Sequence, residues 1–262
     1  SRRRRRALLG RAARAAMGAL QDESLTIAFQ PVVRAEGAGP PAFHECLVRV
    51  HTPDGQLVPA AQFMPAIERL GLAPLIDRRV LAMAFDALAE HGDSRLSVNI
   101  FPQTMQDAAW LGLFHERVRA HPELADRLIV EVTETAAMLD PERTAQFMES
   151  VRTTGAAFAL DDFGAGHSSF RNLRRFRFDM VKLDGTFIED IETDLDDRFF
   201  VRLLADIADR FEMMAVAESV RRPAQARILR DLGIQYFQGF HFGAPDLRLV
   251  RGARPPSLIA EM

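Results

Sequence analysis

Acidic and amide side chains follow one short apolar segment after another along this sequence. Glu131 lies near the end of one such segment, Asp161 and Asp162 come directly after the next, and Glu218 follows a later one. In a parallel barrel the carboxyl ends of the strands open on one face, so these side chains are expected to converge there. The complete group of acids and amides is Glu45, Asn99, Glu131, Asp161, Asp162 and Glu218.

Oxygen-rich groups of this kind predict metal chemistry. Five carboxylates and one amide in a small volume repel one another and raise each other's pKa values. Divalent cations remove that repulsion, and oxygen ligands favour hard ions such as Mg²⁺ or Mn²⁺. Such a site holds two ions roughly 3.5–4 Å apart, which clamp the attacking and leaving oxygens of a phosphodiester. The residues by themselves therefore predict a two-metal phosphodiester hydrolase.

The adjacent pair Asp161 and Asp162 makes a structural demand, because successive strand residues point to opposite faces. We expect the strand to end there, with the glycine-containing turn at 163–166 letting both carboxylates face one site.

Lys182 is a cation among these acids. We expect it either to orient or help deprotonate the attacking water and offset phosphate charge, or to serve as a structural ion-pair partner.

The elements that position these residues are indicated by an alternation of short apolar segments and amphipathic helices. Strands are predicted at 25–33, 43–50, 96–100, 128–132, 156–160, 178–183, 213–217 and 234–237. Helices are predicted at 74–90, 141–153, 197–210 and 223–232. The alternation predicts parallel pairing, whereas the short Gly/Pro segment between the first two strands predicts a hairpin. We therefore expect an α/β fold, a TIM-like (β/α)8 barrel with one antiparallel strand.

Length, charge and composition narrow the function classes. A chain of 262 residues fits one barrel of this kind. The net charge of −3 gives no reason to expect a nucleic-acid polymer as partner. The single cysteine excludes an internal disulfide framework, and no apolar run is long enough for membrane insertion. We expect a cytoplasmic domain at 21–262, preceded at 1–20 by a basic helix or a linker from an upstream domain. An upstream segment of the full-length protein could tether it to a membrane.

Eight motifs occur in the order found in a known family. They read FQPVV at 29–33, ECLVR at 45–49, SVN at 97–99, EVTE at 131–134, DDFGAGHSS at 161–169, VKLD at 181–184, AE at 217–218 and QGF at 238–240. In this order they resemble the EAL-domain cyclic-di-GMP phosphodiesterases across nearly the whole chain, from about 20 to 245. The segment DDFGAG with its flanks is the most specific of the eight.

The resemblance implies a ligand set for two divalent cations, Mg²⁺ or Mn²⁺. One ion would be held by four oxygen ligands, which here are Glu45, Asn99, Glu131 and Asp161. Asp161 would bridge to the second ion, and Asp162 and Glu218 would help to hold that ion and its waters.

The resemblance also implies the reaction and its catalytic residues. Lys182 would position the attacking water, Glu134 would tether the loop after Asp162, and Glu218 would act with them. The substrate would be contacted by Gln30, Arg49, Asp184 and Gln238. The reaction would be in-line hydrolysis of one 3′–5′ phosphodiester bond of cyclic-di-GMP, which gives linear pGpG. Family members often form homodimers through the region after DDFGAG and often follow sensory or GGDEF domains.

Five positions depart from the family pattern. Cys46 replaces the signature alanine and Val50 a common tryptophan, which is expected to loosen one wall of the site. Ser219 and Arg221 replace a glycine and a glutamate, and the charge reversal is expected to alter the rate. His167 replaces a tyrosine in the dimer-linked loop. Every predicted metal ligand and the lysine are retained.

Two alternatives to an enzyme remain open at this point. A catalytically weak receptor domain would bind cyclic-di-GMP without cutting it, but such domains typically lack metal ligands or carry a broken DDFGAG loop. An interaction protein would use the barrel only as a scaffold, which a fold alone never excludes. The complete carboxylate set favours the enzyme over both.

Overall fold

The computed structural model describes residues 24–37, 39–52, 54–164 and 174–249, together with residue 18. The predicted basic helix or linker at 1–20 therefore lies outside the described residues except for that one position. His167 and the remainder of its loop also lie outside them.

Nine strands occur in the described ranges, and eight of them close into a barrel. The ninth, β3, pairs with the end of β2 at the edge of the sheet. The strands are β1 (Leu25–Arg34), β2 (Phe43–His51), β3 (Leu57–Pro59), β4 (Leu96–Ile100), β5 (Leu128–Thr133), β6 (Ala157–Phe163), β7 (Met180–Leu183), β8 (Met214–Ala217) and β9 (Tyr236–Gln238).

Strand β1 is the antiparallel member of the barrel. It pairs antiparallel with β2 on one side and with β9 on the other, which closes the ring. The remaining neighbours in the barrel, from β2 through β4 to β9, pair in parallel. The prediction of a TIM-like barrel with one antiparallel strand is confirmed.

Eight α-helices of the described ranges connect or flank these strands. They are α1 (Ala60–Arg69), α2 (Ala73–Glu90), α3 (Ala108–Ala120), α4 (Glu134–Leu139), α5 (Pro141–Arg152), α6 (Thr186–Glu189), α7 (Leu195–Arg210) and α8 (Pro223–Asp231). Aspartates cap three of them: Asp107, Asp140 and Asp194 each accept a hydrogen bond from a backbone N–H of the first turn. All four predicted helices form, with boundaries within two residues of those expected.

The structure adds elements that the sequence pattern did not reveal. Helix α1 contains Pro65 in its interior and is ten residues long, so its helical period is short and interrupted. Strand β3 has three residues, too few to show an alternation of apolar and polar side chains. Both elements pack in the tertiary structure: α1 lies against β2, β3 and α2, and β3 lies against β2 and α1.

One layer of apolar side chains fills the barrel below the expected site. Its members face the interior, because they alternate with residues that pack against the outer helices. They are Val32, Phe43, Ile129, Ala159, Met180 and Val216. This layer lies directly below the expected site, because five site residues each follow a member of the layer by two positions: Glu45, Glu131, Asp161, Lys182 and Glu218.

None of the helices within the described residues combines the length and the apolar composition that are needed to cross a lipid bilayer.

Candidate active site

A single ammonium group lies among four carboxylates inside the barrel mouth. The Nζ atom of Lys182 lies 2.7 Å from Glu131 Oε2 and 3.2 Å from Glu45 Oε2. It also lies 2.7 Å from Glu218 Oε1 and 3.4 Å from Asp161 Oδ1. These five residues come from different strands or from the position directly after a strand. The fold therefore brings together side chains that the sequence places up to 173 positions apart.

The cation at the centre of the site is a lysine, although arginine is by far the more frequent basic residue of this chain. Among the 33 lysine and arginine residues of the chain, Lys182 is the only lysine. An ammonium is a compact point charge with three donors, whereas a guanidinium is planar and larger. The space between Glu131, Glu45 and Glu218 therefore favours a lysine in a chain that uses arginine everywhere else.

The surrounding acids keep Lys182 protonated. Burial by itself lowers the pKa of this lysine, since its side chain is 1% exposed. The negative charges of Asp161, Glu131, Glu218 and Glu45 outweigh burial and raise that pKa well above its ordinary value. Lys182 is thus an ammonium that donates hydrogen bonds, and in this arrangement it is not a base.

One ammonium does not balance the acids around it. Burial raises the pKa of Glu131 to about 8, with further contributions from the charges of Glu45 and Asp161 and in spite of the nearby Lys182. Burial likewise raises the pKa of Glu218 to about 8. Both carboxyls are thus held near neutrality mainly by burial, and a cation beside them would favour their ionised form.

A hydrogen-bond network holds Glu45 in place at the centre of the site. Asn99 Nδ2 donates to Glu45 Oε1 at 2.6 Å, and Gln238 Nε2 donates to Glu45 Oε2 at 2.6 Å. Gln238 also donates to Gln30 Oε1, and Gln30 Nε2 donates to the Gly243 carbonyl at 3.2 Å. Burial by itself raises the pKa of Glu45, but the charge of Lys182 and the hydrogen bonds from Gln238 and Asn99 lower that pKa overall.

A β-bulge brings both carboxylates of the Asp161–Asp162 pair to one side. Between Leu160 and Phe163 the pairing of β6 with β7 shifts register by one extra residue in β6. The backbone of Asp162 has a φ of 56°, in the left-handed region that aspartate enters more readily than most residues. Our expectation that the strand ends before Asp161 is therefore wrong, because β6 continues to Phe163 and the bulge re-aims the side chain instead.

The geometry of these oxygens fits divalent cations. One ligand oxygen each from Asp161, Asp162 and Glu218 lies within 4.8 Å of the other two. Two buried oxygens, Glu131 Oε1 and Asp161 Oδ1, have no hydrogen-bond partner. Asp161 Oδ1 faces Lys182 Nζ at 3.4 Å without a hydrogen bond, and Glu131 Oε1 accepts none. Carboxylate oxygens that are free of hydrogen bonds suit a hard cation, since oxygen ligands are what such ions prefer.

Two further residues of the predicted set lie just outside this centre. Glu134 is buried at the start of α4, and its Oε2 accepts a hydrogen bond from the backbone N–H of Gly164 at 3.1 Å. The contact ties α4 to the segment directly after the bulge. Asp184 follows β7, and its Oδ1 accepts from the backbone N–H of Thr186 at 2.8 Å.

Two cavities open on this part of the barrel. The first has a volume of about 420 Å³ and is lined by the carboxylates Glu45, Asp161 and Glu218 and by the expected substrate contacts Gln30, Arg49 and Gln238. The second has a volume of about 330 Å³ and includes Asp184. Asp184 therefore lies apart from the other expected substrate contacts.

Sequence reasoning missed several residues that line the first cavity. Leu47, Phe240 and Pro245 contribute apolar surface there, and the Phe240 ring is 68% exposed. The side chains of Ser219 and Arg221, noted in the sequence only as departures, line both cavities. Leu47 was within reach of prediction, because it has the same strand parity as Glu45 and Arg49.

The structure defines a TIM-like barrel with an acid-rich centre at the carboxyl ends of its parallel strands. The family model described as EAL domain matches residues 13–245. The chain belongs to the EAL domain family.

Individual relatives agree with this assignment. A probable cyclic di-GMP phosphodiesterase, PdeA of Escherichia coli K12, is 32% identical over 232 residues, covering 87% of this chain and 31% of the relative. The cyclic di-GMP phosphodiesterase PdeB of Shewanella oneidensis is 29% identical over 232 residues, covering 87% of this chain and 27% of the relative. The chain thus spans about a third or less of the length of these curated relatives.

A solved structure has the same fold. The PaMucR phosphodiesterase in complex with c-di-GMP superposes with a TM-score of 0.82 at 30% sequence identity. The superposition covers 90% of this chain and 97% of that one.

Proposed function

We propose that this domain hydrolyses one 3′–5′ phosphodiester bond of cyclic-di-GMP and releases linear pGpG. The observation that carries the proposal is the clustering of Asp161, Asp162 and Glu218 oxygens beside the buried ammonium of Lys182. Relatives that match most of this chain are named cyclic di-GMP phosphodiesterases, which supports the choice of substrate.

The proposed site takes two divalent cations, Mg²⁺ or Mn²⁺. The first would be held by Glu45, Asn99, Glu131 and Asp161, and the second by Asp161, Asp162 and Glu218. Such ions make water a better nucleophile at neutral pH and neutralise charge on the phosphate. Burial raises the pKa values of Glu131 and Glu218, and a cation bound beside them would favour the ionised form of both carboxyls.

The chain's own residues orient the reactants. The Lys182 ammonium stays protonated and donates hydrogen bonds, so it can hold the attacking water in line with the scissile bond and offset charge on the phosphate. Glu134, through Gly164, holds the segment that carries Asp162 against α4. Positioning of this kind contributes several kcal/mol to catalysis in enzymes generally.

The first cavity suits one nucleotide half of the substrate. Its volume of about 420 Å³ lies within the range of small-molecule sites. Gln30 and Gln238 present amide groups there, Arg49 presents a guanidinium, and the exposed ring of Phe240 offers a face on which a guanine can stack. In this proposal Asp184 contacts the substrate from the second cavity.

The decisive experiment is to incubate the purified chain with cyclic-di-GMP and Mg²⁺ or Mn²⁺ and to separate the products by chromatography. Linear pGpG that forms with metal and disappears with chelator supports the proposal. Intact cyclic-di-GMP that stays bound to the protein under the same conditions would show a receptor domain instead. Neither cleavage nor binding would contradict both and leave a scaffold role.

We also propose that the domain forms a homodimer through α7. The side chains of Leu195, Phe199, Phe200 and Leu203 on this helix are all exposed, with Leu195 at 72% and Phe199 at 64%. Contiguous exposed apolar surface of this kind is typical of protein interfaces. The helix follows the DDFGAG segment in the chain, in the region that the family resemblance implies for dimer contacts.

A further inference from the structure

The loop after β8 separates the two cavities of the active-site face. Glu218, Ser219 and Arg221 line both the first cavity and the second. A ligand that occupies both cavities therefore has to pass over this loop. Arg221 is the cationic side chain that this loop contributes to both cavities.

The backbone beneath Arg221 is firmly anchored. Gln225 is 1% exposed, and its Oε1 accepts hydrogen bonds from the backbone N–H groups of Arg221 and Arg222 at 2.9 and 3.0 Å. Its Nε2 donates to the carbonyl oxygens of Ile188 and Glu189 at 2.8 and 3.2 Å. Gln225 thus uses both amide ends to fasten the loop to α6.

The neighbouring arginine strengthens this anchor. Arg222 donates through Nε to the Glu192 carboxylate and through Nη2 to the Glu189 carbonyl at 2.9 Å. The guanidinium of Arg222 is therefore committed to holding the loop. The loop presents Arg221 from a backbone whose conformation is largely fixed, which reduces the entropy cost of using that side chain to bind a ligand.

The side chain of Arg221, in contrast, makes only a loose ion pair. Its Nη1 lies 3.9 Å from Glu189 Oε1, and the two side chains are 59% and 68% exposed. Exposed pairs of this kind contribute little to stability. An anionic ligand can therefore replace Glu189 as the partner at small cost.

The charges that line the first cavity show which ligand group Arg221 suits. Glu45, Asp161 and Glu218 line the cavity, and the positive side chains among its described lining residues are Arg49 and Arg221. Cyclic-di-GMP carries two phosphodiester groups and hence two negative charges. One is expected at the carboxylate and lysine centre, and the other needs a cation at some distance from it. Arg49 donates to the Val48 carbonyl at 2.9 Å, so part of its guanidinium is already engaged.

We propose that Arg221 binds the non-scissile phosphate of the dinucleotide where the two cavities meet. This inference rests on the proposed function and adds to it a residue that sets substrate affinity. The guanidinium is charged at every accessible pH, and that charge by itself favours contact with a phosphate even where the geometry is imperfect. The charge reversal noted in the sequence thus gives the domain an additional contact to its substrate.

Calorimetry with cyclic-di-GMP in chelator tests this proposal without hydrolysis. We expect Arg221→Gln to bind about three- to tenfold more weakly than wild type, and Arg221→Lys to keep most of the affinity. The affinity of wild type should also fall more steeply with added NaCl than that of Arg221→Gln. Salt screens the attraction between Arg221 and the phosphate, which the variant lacks. Arg117→Gln, which removes an exposed arginine paired with Asp86, is the matched control and should bind like wild type.

The outcomes separate this inference from the proposed function. If Arg221→Gln binds as tightly as wild type and the wild-type chain still cuts cyclic-di-GMP, the role of Arg221 is overturned and the enzyme assignment stands. If Arg221→Lys is as weak as Arg221→Gln, the phosphate contact is overturned in favour of a bidentate contact to a guanine edge. If wild type neither binds nor cuts cyclic-di-GMP, the proposed function fails and the Arg221 role fails with it.

Discussion

The Nζ atom of Lys182 lies 2.7 Å from Oε2 of Glu131, and both side chains are almost completely buried. A buried pair of this kind is costly to break, because the remaining charge is left without a partner in a medium of low polarity. The pair connects β7 to β5 across the barrel interior, so one contact serves both the fold and the chemistry.

Replacing Lys182 tests that double role. We expect Lys182→Met to lower the free energy of unfolding by roughly 3–5 kcal/mol in chelator, because four carboxylates lose their cation. Added Mg²⁺ should restore part of this loss, because the uncompensated carboxylates of the variant gain more from a bound cation than those of wild type do. Urea unfolding with and without Mg²⁺ measures both effects. Equal destabilisation in the two conditions would argue against a metal site beside Lys182.

The catalytic share of Lys182 is measured separately. Lys182→Arg keeps the charge but replaces a compact ammonium with a planar guanidinium. We expect the rate of cyclic-di-GMP hydrolysis to fall at least about tenfold while substrate affinity in chelator changes little. An unchanged rate would return Lys182 to a purely structural role.

Asp161 tests the two-metal proposal most directly. Asp161→Asn removes the charge of the proposed bridging ligand, so we expect hydrolysis to fall by about a thousandfold or more. Asp86→Asn, at an exposed carboxylate paired with Arg117, is a matched control that should keep the wild-type rate. Near-normal turnover by Asp161→Asn would contradict the bridging role.

The buried carboxyl of Asp77 should make the stability of the fold depend on pH, independently of catalysis. Burial raises the pKa of this carboxyl on α2 from 3.8 to about 7, although it accepts hydrogen bonds from Phe101 N and Thr104 Oγ1. At a pH between these two pKa values, the Asp77 carboxyl is ionised in the unfolded chain and protonated in the folded chain. The free energy of unfolding therefore falls as pH rises, by up to about 1.4 kcal/mol per pH unit.

Asp77→Asn removes this titration. We expect the stability of wild type relative to Asp77→Asn to decrease by roughly 2 kcal/mol between about pH 5 and about pH 7. Urea unfolding of both proteins across this range measures the difference. A difference that stays constant with pH would show that the folded and unfolded states titrate alike at this position.

The homodimer proposal is tested on the exposed face of α7. Phe199→Asp places a charge in the apolar surface, and we expect it to shift the protein from dimer to monomer in analytical ultracentrifugation. Leu139→Asp changes an equally exposed residue at the end of α4 and should leave the oligomeric state unchanged. A wild-type chain that sediments as a monomer at high concentration would remove the proposal.

The sequence by itself determined the barrel and the strand on which most site residues lie. Apolar segments with period two show which side chains share a face. Prolines at the first position of α5 and α8 mark where those two helices begin. Glu45 follows Phe43 and Lys182 follows Met180 at this spacing, so their common direction into the barrel is encoded locally.

Only the tertiary structure decided the distances between strands. Lys182 and Glu45 are 137 positions apart, and no local pattern states that their side chains meet at 3.2 Å. Closure of the barrel sets that distance through strand register. The bulge at Asp162 likewise depends on pairing with β7, which is why the sequence predicted a strand end there.

The division of the site into two cavities has the same origin. In the sequence Asp184 belongs with the other substrate contacts and Arg221 is only a departure, yet the fold places Asp184 in the second cavity and Arg221 in both. The path of the loop after β8 decides this, and buried hydrogen bonds of Gln225 to α6 hold that path. Residue types are written along the chain, whereas cavities arise between segments that meet only when the barrel closes.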